Sequence, residues 1–240
     1  MRRIFTAALS LLALGSAAAA ADLPPVPQLP PVDAAPAWTG FYAGLNVGGA
    51  FGSSRNAFSI AGFGLPTFST PLQGVVGGGE VGYNWQTGPW VLGLEANFEG
   101  SGLSGGRNAP CLPPLCGGAL AASYAQKLPW FGTLRPRVGY ALGNWLFYAT
   151  GGGAFGEVDT NATAAAVGSF VATDNRSQTR GGWTLGGGVE VELVAGWSAK
   201  IEYLYVDLGS RTTTFLLNPP ISNASRFTAN VITAGVNYHF

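Results

Sequence analysis

Charge is what this 240-residue chain has least of: charged residues make up 10% of it, against roughly 25% in ordinary soluble domains. Hydrophobic residues reach 47%, so there is too little charge to coat a water-facing surface, which argues against a plain cytosolic enzyme. Twelve basic residues face twelve acidic ones. With no cationic excess to neutralise phosphates, nucleic-acid binding is excluded. Histidine occurs once and cysteine twice, too few donors for a metal site, and no cofactor is implied. Long apolar runs are missing after the N-terminus, so no membrane-crossing helix is predicted. What the chain does have is 37 Gly, 7 Trp, 8 Tyr and 14 Phe, too many rings for a disordered polymer. Low charge, abundant glycine and many rings without a long apolar run point to a membrane β-barrel.

Arg2 and Arg3 precede a mostly apolar stretch, Ile4 to Leu14, followed by Gly15, Ser16 and a run of alanines. This is the layout of a secretory signal peptide over 1–20, cut after Ala18–Ala19–Ala20; the apolar stretch is too short to span a bilayer. Pro24, Pro25, Pro27, Pro30, Pro31 and Pro36 then make 21–37 an extended tether. It reads as a periplasmic linker before a barrel over 38–240, with docking onto a cell-wall partner as the alternative.

From Trp38 onward the chain alternates with period two, the mark of strands with two unlike faces. Phe41, Ala43, Leu45, Val47 and Phe51 share one phase, with Asn46, Gly44 and Gly48 on the other. Val75, Val81, Tyr83 and Trp85 oppose Glu80 and Asn84; Trp90, Leu92, Leu94, Ala96 and Phe98 oppose Glu95, Asn97 and Glu99. Trp130, Leu134, Val138 and Tyr140 oppose Arg135 and Arg137; Trp183, Leu185, Val189, Val191 and Leu193 oppose Glu190 and Glu192. Trp197, Ile201, Tyr203 and Tyr205 oppose Lys200 and Glu202; Ile232, Ala234, Val236, Tyr238 and Phe240 oppose Thr233, Asn237 and His239. A further strand, Trp145–Phe155, has no clear phase, which brings the total to eight.

Thr87–Pro89, Leu142–Asn144 and Ala195–Gly196 are short turns, whereas 53–72, 101–123, 158–179 and 210–226 are long connections. Short turns at one end and long loops at the other predict an eight-stranded antiparallel up-and-down transmembrane β-barrel of the bacterial outer membrane, with four long extracellular loops. Six of the seven glutamates fall on the polar phase with Arg135, Arg137 and Lys200. An eight-stranded barrel has room inside only for modest side chains, so the aromatic phase faces lipid and the charged phase faces the lumen. Glu80, Glu95, Glu99, Arg135, Arg137, Glu190, Glu192, Lys200 and Glu202 are therefore expected as an interior ion network, since buried charges persist when paired. Trp85, Trp90, Trp145 and Trp197 beside the short turns read as an interfacial aromatic belt. The Gly77–Gly79, Gly151–Gly153 and Gly186–Gly188 runs lie inside strands, without the following helix that a phosphate-cradling loop needs, and are read as allowing close packing.

His239 would have to serve alone in any Ser–His catalysis, and its place at the end of the last strand is poor for a general base; no enzyme is expected. Cys111 and Cys116, in CLPPLC within the second long connection, are expected to form a local disulfide in an oxidising compartment.

The chain resembles the alphaproteobacterial outer-membrane immunogenic protein family, small porin-like barrels akin to the transmembrane domain of OmpA. The resemblance rests on Ala21–Asp22–Leu23–Pro24, on Trp38–Thr39–Gly40–Phe41–Tyr42–Ala43–Gly44 and on Gly82–Tyr83–Asn84–Trp85. It extends through Arg135–Pro136–Arg137–Val138–Gly139–Tyr140, Glu202–Tyr203–Leu204–Tyr205 and the closing Gly235–Val236–Asn237–Tyr238–His239–Phe240. It implies that Phe240, supported by Tyr238 and Val236, belongs to the signal read by the outer-membrane assembly machinery. Pro136 departs from the family pattern, where a glycine is usual, and a strand proline removes a ladder donor. The function expected is structural, envelope integrity and surface display, with outer-membrane lipid and lipopolysaccharide as surroundings. The alternatives are a small passive porin or ion channel, or a surface protein binding haem or a host molecule.

Overall fold

The computed structural model describes residues 38–60, 63–64, 67–110, 120–166, 170–194, 196–215 and 221–240. The signal peptide, the Pro-rich tether and the Cys111–Cys116 pair lie outside the described residues. Strand follows strand: β1 (Gly40–Ile60), the two-residue β2 (Phe63–Gly64), β3 (Phe68–Thr87), β4 (Trp90–Pro110), β5 (Leu120–Leu142), β6 (Trp145–Ala166), β7 (Phe170–Val194), β8 (Trp197–Phe215) and β9 (Ile221–His239). The eight long strands pair antiparallel in chain order, and β9 returns to pair with β1 from Tyr42↔His239 to Ile60↔Ile221. The ring is thus closed, leaving no unpaired edge to face hydrocarbon.

Strands of 19 to 25 residues are about twice the length needed to cross a bilayer. The excess lies on the side of the long connections, and most of those residues continue the hairpins. The β1–β3 pairing reaches Asn56↔Phe68, β4–β5 reaches Pro110↔Ala121, β6–β7 reaches Ala166↔Phe170 and β8–β9 reaches Phe215↔Ile221. Their Ser, Thr, Gly and Pro content looks loop-like in sequence; the barrel beneath supplies the aligned partner strand that propensity does not. Two ladders stop early, β3–β4 at Gln73↔Ser104 and β7–β8 at Trp183↔Asp207. Above the wall the strands therefore form two four-stranded blades, β4–β7 and β8–β9–β1–β3. At the opposite end the turns at Gly88, Gly143 and Gly196 have φ of 59°, 57° and 82°, which glycine adopts without steric penalty.

The inward and outward phases are unambiguous. Leu45 and Val75 are 69% and 72% exposed, whereas Arg135 and Glu190 are at 0%. The strand of unclear phase, β6, turns Leu146, Tyr148 and Thr150 inward and Trp145, Phe147 and Phe155 outward. Pro136 does interrupt pairing: β5 and β6 are in register at Leu134↔Gly153 and again at Arg137↔Thr150, with the two intervening pairs missing. The Thr150 hydroxyl donates to the Pro136 carbonyl at 3.0 Å across that gap. Pro129 sits where β5 gains a residue over β6 between Lys127↔Asp159 and Trp130↔Glu157, a bulge that tolerates a residue with no N–H.

The interior is layered. At the short-turn end Trp38, Val91, Leu146 and Tyr148 pack together. Charged residues come next, then a dry apolar layer including Leu72, Val76, Leu103, Leu128, Phe131, Val158 and Phe227. A polar layer of Asn56, Tyr124, Gln126, Arg180, Asn223 and Ser225 caps it. The order can be followed along β9, from Asn237 through Val231 and Phe227 to Ser225 and Asn223.

Candidate functional site

Strand alternation delivers the ionic layer: Glu80 from β3, Glu95 from β4, Arg135 and Arg137 from β5, Glu190 from β7, and Lys200 and Glu202 from β8 all point inward. Arg135 pairs with Glu95 and, at 3.0 Å, with Glu202. Arg137 pairs with Glu190 at 3.3 Å and Glu95 at 3.5 Å. Lys200 reaches Glu80 at 2.5 Å, Glu95 at 3.6 Å and Glu202 at 4.0 Å. Each cation bridges at least two carboxylates, so the network spans the barrel in place of isolated pairs. Desolvating such charges costs several kcal/mol each, an amount the pairing offsets only when further hydrogen bonds complete the geometry.

Those further bonds come from the polar-phase amides Asn84 and Asn237 and from Tyr42, Tyr148 and Ser198, which the alternation does not mark as interior. Tyr42 donates to Glu95 at 2.7 Å and Tyr148 to Glu202 at 3.0 Å. The Arg137 guanidinium lies over both rings, 4.4 Å and 5.1 Å from their centroids. Asn84 accepts from Arg137 Nε at 2.8 Å, and Asn237 and Ser198 donate to Glu190 at 2.8 and 2.5 Å. The two tyrosines fit because glycine faces each of them, Gly82 opposite Tyr42 and Gly188 opposite Tyr148. A Cβ on Gly82 would stand 2.3 Å from the Tyr42 hydroxyl. An aromatic on the polar phase with glycine opposite was the available signal, obscured because tyrosines also populate the lipid face.

Of the expected network, Glu99 is buried but bonds Asn97 at 2.8 Å and joins no ion pair among the described residues. Glu192 is half-buried at the short-turn rim, also with no ion pair among the described residues. It departs from the expected network because it lies past Glu190, where the barrel ends and the lumen no longer encloses the side chain.

His239 is drawn into the layer. Its Nε2 lies 3.1 Å from both Ser198 Oγ and Glu190 Oε1, with Trp38 edge-on and Tyr42 stacked on the ring. A Ser–His–acid relay needs serine and acid on opposite ring nitrogens; here both crowd the same one. The arrangement closes the barrel floor.

On the outer wall Trp85, Trp90, Trp145 and Trp197 are exposed beside the short turns. Val236, Tyr238 and Phe240 follow on the lipid face of β9, where Trp197, Tyr238 and Phe240 stack edge to face at 5.2 and 5.1 Å. A second ring of aromatics, missed in the sequence, lies farther up: Phe98–Trp130–Phe155 and Trp183–Tyr205. Trp90 and Phe98 are eight residues apart on β4, a climb of about 20 Å at the usual rise and tilt, close to the apolar band of outer-membrane barrels.

A closed ring with an apolar wall between two aromatic girdles and a charged interior defines an outer-membrane β-barrel. The chain belongs to the outer membrane protein beta-barrel domain family, whose model matches residues 6–240. It is 33% identical over the full length of both chains to a 31 kDa outer-membrane immunogenic protein of Brucella melitensis. It is also 33% identical to a 22 kDa outer membrane protein of Rhizobium leguminosarum, covering 77% of this chain and 71% of that one. Among solved structures, the outer membrane protease OmpT of Escherichia coli superposes with a TM-score of 0.54 at 11% identity over 84% of this chain and 97% of that one, a likeness of fold alone. The chain is accordingly a protein of the bacterial outer membrane.

Proposed function

We propose that this chain is a structural protein of the outer membrane, contributing to envelope integrity and displaying its hairpins to the outside. The filled interior carries this reading. An ion must pass a floor of Trp38 and Leu146, a network in which every cation is shared, and a dry layer around Leu103, Leu128 and Phe131. A passive porin needs a continuous wet path, and three stacked plugs of unlike chemistry oppose one. A haem site is poorly served, because His239 at the short-turn end is the sole histidine and Met1 the sole methionine. The naming of the Brucella relative as immunogenic supports exposure at the cell surface. Planar-bilayer recording of refolded protein tests the reading: a silent trace is expected, and steady single-channel steps of ordinary porin size would overturn it.

A further inference from the structure

We propose that Arg55 and Arg226 form a site on the outer wall for the anionic head group of an outer-leaflet glycolipid. The two residues are direct cross-strand partners at the β1–β9 junction. Both are exposed, on the phase that carries Val47 and Phe51 along β1 and Ile232 and Val236 along β9. Like charges placed directly opposite each other destabilise a sheet.

The protein supplies only half of what this pair needs. Asp207 accepts from Arg226 Nε at 3.2 Å and Nη2 at 2.5 Å through a single oxygen, and its other oxygen accepts the Gly209 N–H at 2.9 Å. That carboxylate is 2% exposed while the Arg226 side chain is 56% exposed, so it orients Arg226 from behind and leaves the outer face of the guanidinium to the surroundings. Arg55 has no hydrogen-bond or ion-pair partner among the described residues. The positions paired with the two arginines on their other sides are Ser69 and Ser210, which carry no charge. Two guanidiniums with one spent carboxylate match an oxyanion, which Arg engages through its planar fork of donors.

Height selects the source of that anion. Tyr238 and Arg226 are twelve residues apart on β9, a climb of roughly 30 Å at ordinary strand rise and tilt. The hydrocarbon-facing band is about 25 Å tall, so the pair lies just beyond it, at the depth of lipid head groups. Both side chains stand on the outside of the wall, where a lipid approaches laterally.

The test uses the refolded full chain in neutral dodecyl maltoside micelles, with diphosphoryl lipid A as the probe and retention measured by native mass spectrometry. Wild type is expected to hold lipid A, and the Arg55→Gln/Arg226→Gln double variant to hold it about thirtyfold more weakly, the effect of two cations near a charged membrane surface. Lys127→Gln is the control, since Lys127 faces Asp159 across β5 and β6, and it should bind like wild type. Heat-modifiable gel migration and a urea midpoint in lipid-free micelles report folding. The double variant trades relief of the like-charge contact for loss of the Arg226–Asp207 pair, so its midpoint is read beside that of Arg55→Gln alone, which breaks no described contact and takes its place should the double variant not fold. Binding equal to wild type in the variant, an equal loss in Lys127→Gln, or displacement of lipid A by inorganic phosphate at matching concentration would each overturn the proposal.

Discussion

The guanidinium of Arg137 lies 4.4 Å over the ring of Tyr42, while its Nη1 reaches Glu190 at 3.3 Å. Aromatic face, carboxylates and the Asn84 amide oxygen enclose this cation so completely that the side chain is 1% exposed. Removing it strands negative charge in the buried interior. Replacing Arg135 and Arg137 by leucine is therefore expected to cost about 3–5 kcal/mol for each buried charge left unpaired. A urea titration of refolded protein measures it, and an unmoved midpoint would mean that the lumen is wet and the pairs weak.

Tyr42 and Gly82 make a second test. Gly82→Val places new atoms where the Tyr42 hydroxyl stands, 2.3 Å from a Cβ, and should shift the unfolding midpoint down. Adding Tyr42→Ala to that variant should recover part of the loss, with a coupling of about 0.5–3 kcal/mol for residues in contact. Strictly additive losses in the double-mutant cycle would argue against the fit described.

The dry layer above the ions makes a prediction that joins stability to permeability. Phe131→Ala should cost roughly 3–5 kcal/mol by the cavity it leaves. Because the charged layer below remains, bilayer recordings of that variant should stay silent. Steps appearing on this single change would show Phe131 to be the main barrier in the lumen.

Deleting Phe240 should lower the amount of barrel in the outer membrane without reducing export to the periplasm. Fractionation and immunoblotting read both quantities. The Phe240 amide also donates to Phe41 O at 2.9 Å, so the refolded deletion variant is compared in micelles to separate lost recognition from lost closure. Normal outer-membrane levels would remove the assembly role proposed for this residue.

Seven of the eight strands declared their phase in the sequence because charge and amide marked one side of each. β6 did not, since its inward Leu146 and Tyr148 are as apolar as its outward Trp145 and Phe147; they build the floor, and a floor residue looks like a wall residue. The upper lumen was illegible for the same reason, with Leu103, Leu128 and Phe227 facing a dry interior. In β5 the bulge at Pro129 also moves the inward phase from Phe131 to Leu128, a shift that alternation counting reads as a loop. The ionic residues were legible as a set, but Tyr42, Tyr148 and Ser198, which add hydrogen bonds to their carboxylates, needed the register.

The early stop of the β3–β4 and β7–β8 ladders gives the outer end two jaws hinged on one cylinder. Tyr124 donates to Asn56 at 2.8 Å and Arg180 to Ser225 at 2.9 Å, and each bond runs from one jaw to the other. A change that tilts one jaw is thus carried to its opposite through these clasps, while the cylinder below stays as it is. What the cell presents outward is a two-part relief, and anything that grips it meets a shape held in common by distant stretches of chain.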